Sequence, residues 1–531
     1  MRPPNRDSAC TLSRCRVAAV VAFFVLNLAV YLIRIFSVWR YGALFCSTAV
    51  ESPMIDSVWR CMRHQPVYQW PFAFPFSLSL YNYLFYYVYA GALRLMGAWD
   101  AGILTWGRQF TLLFALAGAL AQWRLVRSLL NLRSLASALS FCLSLGLWLC
   151  TSLVKYWALT IRPDMAVAAL VMIALWVVVR QPRFCFAYAG LLLYLAWAFK
   201  QSVVLAFAGL CLWLLLNKRW RDLSLLATVF AVLVAATLLL GSPEYRFSIL
   251  VAPQMVRGFA FSLPWILRTL GTGLTAVGLN LYWVAAPFVL LRTSNSPGAP
   301  HFSCAPSIPR LFEEKPRNGW ESTTLSPAQI NYLLTTVFAL ALLVGLAGMG
   351  KVGGTSNYLF EAFAAGSTLL QIAVFSVPAR LVTALLLFGC IQPAVQLAGV
   401  AIGYHHPGRK DMVPIATASE YRDAVTLRNR LAGMKKPIFT TDGVFALSWN
   451  STGNGAPALV LDPNFQEAAR SREVNGGIEG MLNRGEIPTV MLASSDLAYL
   501  KSLNPGYRKV AESHQQGVTY SIYTFNANTL Q

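Results

Sequence analysis

Long apolar runs separated by short basic turns set the pattern of this chain. A helix needs about 20 apolar residues to cross the hydrocarbon core of a bilayer. Residues 17–38 form the first such run, and Arg2, Arg6, Arg14 and Arg16 lead into it. Arginine and lysine accumulate on the cytoplasmic side of membrane proteins. The N-terminus is therefore predicted inside and the next loop outside. Further runs lie near 103–123, 134–152, 164–180, 184–199, 202–216, 223–241, 270–291, 329–349, 357–376 and 380–401. Together they predict about eleven crossings, with the C-terminus outside.

The stretch 77–97 is ambiguous. It is long enough to cross, but it carries Tyr81, Tyr83, Tyr86, Tyr87 and Tyr89. Tyrosine favours the membrane interface, where its ring is in an apolar layer and its hydroxyl is wet. If 77–97 crossed, Arg124, Arg127, Arg133, Arg180 and Arg183 would all face outward. If it lies along the outer face, all of them face the cytoplasm. The charge pattern therefore predicts an outer juxtamembrane or re-entrant helix inside a first external loop, 40–102. A Pro- and Ser-rich stretch near 293–327, with Arg310, Lys315 and Arg317, reads as a cytoplasmic loop.

Beyond about residue 405 the pattern changes: apolar runs shorten and acids return. Residues 438–442, 458–462, 489–494 and 520–525 read as short strands, and 418–433 and 464–484 as helices. The expected architecture is an α-helical polytopic membrane domain, 1–404, followed by a small extracytoplasmic α/β domain, 405–531. Asn450-Ser451-Thr452 is a glycosylation sequon that matters only in a eukaryotic secretory pathway.

Composition agrees with the pattern. Of 531 residues, 56% are hydrophobic and 12% charged. A soluble domain carries about twice that share of charge. A net charge of +21 would suggest nucleic acid in a soluble protein. Here the bases cluster between apolar runs, where they set orientation and attract anionic headgroups or a lipid-linked phosphate. Five of the ten cysteines, Cys142, Cys150, Cys185, Cys211 and Cys390, sit inside apolar runs. Cys46 and Cys61 share the first external loop, which leaves a disulfide open in an oxidising compartment. The chain has no C-x-x-C and no zinc spacing. The first run lacks a small-residue cleavage site and reads as a retained helix.

The candidate chemistry begins at Glu51–Tyr68, ESPMIDSVWRCMRHQPVY. Glu51 and Asp56 follow the first run in an acid-poor chain. Acids held in or beside a membrane bundle are functional candidates by default, and the plain alternative is that they solvate a loop. Other polar residues reach the same outer face: Arg108, Arg162-Pro163-Asp164, Lys200-Gln201-Ser202, Glu244-Tyr245-Arg246, and Lys351 with Gly353–Tyr358 and Glu361. Each base alone could simply snorkel to headgroups. The set as a whole places acids and bases from distant parts of the chain on one side.

This order of motifs resembles the GT-C class of membrane glycosyltransferases, the superfamily of protein mannosyltransferases and of the bacterial lipid A aminoarabinose transferase. The resemblance covers the whole chain. It rests on Glu51 and Asp56 early in the first external loop, His64-Gln65-Pro66-Val67-Tyr68, and the Pro- and Tyr-rich run with Pro71, Pro75 and Tyr81. It continues through Gly107-Arg108, Arg162-Pro163-Asp164, Lys200-Gln201-Ser202 and Gly354-Thr355-Ser356-Asn357-Tyr358. Two glycines usual in the class are replaced: His64-Gln65 stands in the G-x-x-Y turn and Ser52 follows Glu51.

The resemblance implies transfer of a sugar from a polyprenyl-phosphate donor to a hydroxyl on a glycan, lipid or protein, at the outer face of a bacterial cytoplasmic membrane. An acceptor hydroxyl needs a general base, for which Glu51 is the first candidate and Asp56 the second. The lipid phosphate needs cationic stabilisation as charge develops, for which Arg108, Lys200 and Arg246 are candidates. Asp164, Asn357 and Tyr358 complete the expected donor site. One base suffices for an inverting transfer. The acids are too sparse to assign a metal, although some relatives use a divalent cation. A non-catalytic binder of lipid-linked glycan remains an alternative. A transporter fits less well, because the chain shows no internal repeat and its polar residues gather at one face.

Overall fold

The computed structural model describes residues 13–45, 51–73, 76, 78–99, 102–151, 153–154, 157–201, 205–255, 263–294, 325–349, 356–377, 380–402, 417–435, 437–442, 445, 473–515 and 518–526. Cys46, Ser202, the basic residues of 295–324, Lys351, Gly353–Thr355, the sequon and the strand expected at 458–462 lie outside the described residues. So do residues 464–472 of the helix expected at 464–484, whose later part forms the helix Gly477–Arg484.

The apolar runs form helices at the expected places. The first nine are α1 (Arg14–Tyr41), α2 (Glu51–Met62), α3 (Tyr83–Leu95), α4 (Gly102–Leu130), α5 (Ser134–Cys150), α6 (Asp164–Arg180), α7 (Cys185–Phe199), α8 (Leu205–Leu216) and α9 (Trp220–Leu240). Later helices include Leu263–Leu279, Pro327–Met349, Phe360–Ser376 and Arg380–Ala401. Among the described residues, six helices are long and apolar enough to cross a membrane. A bent pair makes a seventh, and three shorter apolar helices lie at Ser134–Leu149, Cys185–Phe199 and Leu205–Leu216. Aromatic side chains mark two levels on α4. Trp106 packs on Trp39 of α1, and Trp123 carries the guanidinium groups of Arg124 and Arg127. Seventeen residues of helix separate those tryptophans, about 25 Å at the rise of an α-helix and close to the thickness of a hydrocarbon core.

The expected span at 270–291 is not one straight helix. It bends by 83° between Leu279 and Leu281. Asn280 explains the break: its amide donates to the Ala276 carbonyl at 2.8 Å and its Oδ1 accepts from Trp283 Nε1 at 2.9 Å. A side chain that bonds locally to backbone competes with a continuous helix.

The helix Phe360–Ser376 is the axis of the bundle, with 94% of the stretch Asn357–Ser376 buried. Polar side chains in its middle are satisfied by one network. Gln122 Nε2 donates to Ser367 Oγ at 2.6 Å, and Gln122 Oε1 accepts from Trp148 Nε1 at 3.0 Å and Gln371 Nε2 at 3.1 Å. Gln371 also donates to Ser144 Oγ and accepts from Ser140 Oγ. With no water in the hydrocarbon layer, amides there must find each other. Gly118 lets α4 and α5 close on this network, since a Cβ there would run into the Trp148 ring.

The tyrosine-rich stretch gives α3, whose 13 residues are too few to cross. Its tyrosines divide, however: Tyr87 is exposed, and two others turn into the bundle. Tyr86 and Tyr89 are fully buried. Tyr86 Oη accepts from Tyr81 N at 3.0 Å, and Tyr89 Oη pairs with Thr111 Oγ1 at 2.7 Å.

The C-terminal part forms a four-stranded sheet in the order β1-β2-β4-β3. Its strands are β1 (Ile438–Thr440), β2 (Thr489–Ala493), β3 (Tyr507–Gln515) and β4 (Val518–Phe525). The β1–β2 pair is parallel and the others antiparallel. The helix Ala418–Ala432 begins at a capping box of Thr417 and Glu420. The strand β3 was not expected: its sequence, YRKVAESHQ, is charged because it lies at the edge of the sheet. The sheet packs onto the first loop. Val474 N donates to Phe72 O at 2.9 Å, and Phe76 joins the core of Phe439, Leu482 and Val490.

Candidate active site

Two buried ionic clusters lie at the same end of the helices, three residues apart along the segment that enters α6. The first joins α2 to α4. Glu51 opens α2, and Arg108 lies nearly two turns into α4; both side chains are 0% exposed. Arg108 Nε donates to Glu51 Oε1 at 3.1 Å and Nη2 to Oε2 at 2.8 Å, while Ile161 N donates to Oε1 at 2.9 Å. The remaining guanidinium bonds go to the carbonyls of Gly42 (2.8 Å) and Phe45 (2.5 Å). Gly42 permits this approach, since a Cβ there would lie 2.9 Å from Arg108 Nη1. The two expected partners of substrate thus bond each other in a bidentate pair, the geometry that makes such pairs strong.

The second cluster centres on Asp164, in the first turn of α6, where a carboxylate also meets the positive end of the helix dipole. Lys200 Nζ, just past the end of α7, donates to Oδ1 at 2.6 Å. Asn357 Nδ2 donates to Oδ1 at 3.1 Å and Arg162 Nε to Oδ2 at 3.0 Å. Aromatic faces cover the cations: Arg162 lies 4.3 Å from the Trp157 ring centroid and Lys200 5.6 Å from that of Tyr358. Asp164, Lys200, Asn357, Tyr358 and Glu361 line a cavity of about 20 Å³. That volume holds a water molecule.

Tyr81 bridges these parts. Its hydroxyl accepts from Arg162 Nη2 at 2.5 Å, and its carbonyl accepts from Tyr68 Oη at 2.8 Å. The next residue, Asn82, donates to Trp197 O at 2.9 Å and accepts from Tyr245 Oη at 2.5 Å. Asn82 was not expected in the site, since its one signal was a Tyr-rich run that also reads as an interface helix; Tyr245 was expected on the outer face beside Arg246 but without a role in the site. Four of the expected residues, Asp164, Lys200, Asn357 and Tyr358, therefore meet in one cluster, and Glu51 and Arg108 meet in the other. Arg246 does not join them. It is exposed at the end of Pro243–Arg246, and only its neighbour Tyr245 turns inward.

Asp56 stands apart on α2. Its Oδ2 lies 3.1 Å from Arg60 Nε one turn later, and both side chains are buried. Arg60 is held in turn by Gln69 Oε1 at 3.0 Å. Burial pushes the Asp56 carboxyl above the usual carboxylate range, against the opposing pull of Arg60. Cys61 is buried in the same helix. Among the described residues, no group of three or more His, Cys, Asp or Glu side chains is placed to hold a metal ion.

The helical bundle with the small sheet packed on its first loop has the GT-C fold seen in solved membrane glycosyltransferases. In particular, the structure is similar to ArnT from Cupriavidus metallidurans in the apo state, with a TM-score of 0.58 over 95% of this chain and 97% of that one at 12% identity. It is equally similar to the same protein bound to undecaprenyl phosphate, with a TM-score of 0.57 at 13% identity over the same shares. The oligosaccharyltransferase of Archaeoglobus fulgidus, in complex with zinc and sulfate, matches with a TM-score of 0.50 at 12% identity, over 89% of this chain and 67% of that one. No sequence-family profile matches the chain. No curated protein matches it by sequence.

Proposed function

We propose that the protein transfers a sugar from a polyprenyl-phosphate donor to an acceptor hydroxyl at the outer face of a bacterial cytoplasmic membrane, with inversion at the anomeric carbon. The observation that carries this reading is the convergence of Lys200, Arg162, Asn357 and Tyr358 on Asp164 in a buried cavity within a GT-C fold. Lys200 and Arg162 supply the positive charge that a departing lipid phosphate requires. The likeness to a structure holding undecaprenyl phosphate supports a donor of that chemistry. Glycan, lipid and protein hydroxyls are the candidate acceptors.

The base comes from α2. A base must be able to take up a proton, and its pKa is best raised toward the working pH. Both oxygens of Glu51 are already engaged by donors from Arg108 and Ile161. Asp56 has one cationic partner and is raised by burial. We therefore assign the base to Asp56 and give Glu51 the task of holding α2 in place. The test is transfer from a panel of radiolabelled polyprenyl-phosphate sugars by membranes carrying the wild type, Asp56→Asn or Glu51→Gln at equal protein levels. Asp56→Asn is expected to lose at least a hundredfold in turnover, within the usual range of a general base. Wild-type transfer that survives in Asp56→Asn would move the base elsewhere. Donor binding without transfer in the wild type would favour a non-catalytic lipid-glycan binder.

A further inference from the structure

Glu361 is a carboxylate that this reaction leaves without a role. It lies in the first turn of Phe360–Ser376, is buried, and lines the cavity with Lys200 and Asp164. Its Oε2 accepts from Ala206 N at 2.6 Å, so one oxygen caps the start of α8 just beyond the turn that carries Lys200. Asp164 already draws on Lys200, Arg162 and Asn357. The hydrogen bond to Glu361 comes from backbone, so the ionised carboxylate adds a negative charge to the site. Two cations, Lys200 and Arg162, then face two carboxylates, Asp164 and Glu361.

We propose that Glu361 is a specificity residue that disfavours the spent lipid phosphate relative to the donor, and so drives product release. The inference rests on the donor reading above. In the transfer, the bond from the anomeric carbon to the phosphate oxygen breaks and its electron pair stays on the phosphate. The acceptor oxygen bonds to the anomeric carbon, and its proton passes to the base. The phosphate enters as a diester with one negative charge. It leaves as a monoester with about −1.5 to −2 at neutral pH. The ionised Glu361 carboxylate repels the second form more than the first, and little solvent intervenes to screen it. Without Glu361 the site would hold a surplus of positive charge and grip its own product.

The test measures binding of two lipids to the purified full-length protein: undecaprenyl phosphate, and its methyl diester, which carries no sugar. Glu361→Gln keeps a carbonyl oxygen for Ala206 N and removes the charge. It is expected to raise the ratio of monoester to diester affinity roughly tenfold, the effect of one unit charge about 10 Å away at an effective dielectric near 20. Glu361→Asp keeps the charge and should leave the ratio near the wild-type value. Both affinities come from one sample, so a change in the folded fraction cancels from the ratio. An unchanged ratio in Glu361→Gln, or an equal shift in Glu361→Asp, would overturn the inference while leaving the donor reading intact. Failure of the wild type to bind either lipid would overturn both.

Discussion

Glu51 and Asp56 are both acids of one short helix, yet their surroundings differ. Five residues of helix turn them about 140° apart, so they face different neighbours. Glu51 meets a guanidinium and a backbone amide in a site with no solvent. Removing one partner of such a pair strands a buried charge, at a cost of about 3–5 kcal/mol. Glu51→Gln is therefore expected to lower the thermal midpoint of the detergent-solubilised protein markedly, and a midpoint within a degree of wild type would show that the pair is dispensable. Lys200 is different again, since it can trade its bond to Asp164 for one to a phosphate. Lys200→Gln should raise the donor KM about 10–100-fold, the loss of one charge-assisted hydrogen bond of roughly 1.5–3 kcal/mol, with a smaller change in kcat. A KM that stays put would remove Lys200 from the donor site. The residue types were legible in the sequence as isolated acids and bases. Their pairing was not, because Arg108 and Lys200 are equally plausible neighbours for either acid until the helices are packed.

At the scale of elements, α4 and Phe360–Ser376 position everything else. The first carries Arg108 near one end and Gln122 further along; the second lies close behind Asn357 and Tyr358 and carries Ser367 and Gln371. The amide network between them fixes their register, so the ionic site inherits the packing of the middle of the bundle. Gly118→Ala tests this at a distance from any ligand. Its methyl group would strike Trp148, which donates to Gln122. Overpacking of this kind costs about 1–3 kcal/mol, so a lower thermal midpoint is expected, and unchanged stability would show that α4 and α5 have room to part. The helices themselves were legible from apolar runs. The 83° bend at Asn280 and the buried hydroxyls of α3 were not. A local hydrogen bond decides the first, and a neighbouring helix that supplies Thr111 decides the second.

For the whole molecule, the basic turns and the tryptophan levels give a frame against which sidedness can be measured. Arg183 lies in the turn between α6 and α7, and Lys501 at the end of Leu497–Lys501 in the C-terminal unit. The proposed orientation expects single cysteines at these positions, in a background stripped of accessible thiols, to react from opposite sides. Lys501→Cys should be labelled by an impermeant maleimide in intact spheroplasts, and Arg183→Cys only after permeabilisation. The reverse pattern would turn the protein over and put the site in the cytoplasm. The contacts from Val474 to Phe72 and from Ser52 Oγ to Thr441 O at 3.5 Å tie the C-terminal unit to the loop that bears α2. That unit therefore packs beside the segment that carries the acids.

Apolar runs by themselves determined that this chain is a bundle of membrane helices, and the return of acids near residue 405 marked a different unit beyond it. Both follow from transfer free energy, which each segment carries locally. The order of acidic and basic motifs was enough to suggest a GT-C architecture. Tertiary structure decided which charges meet. It locked Glu51 to Arg108, gathered Asp164, Lys200 and Asn357, left Arg246 outside and brought Glu361 to the cavity. Those outcomes depend on helix register and on distances of a few ångströms between segments up to about two hundred residues apart, where Coulomb energy falls steeply with separation. No local pattern carries that information.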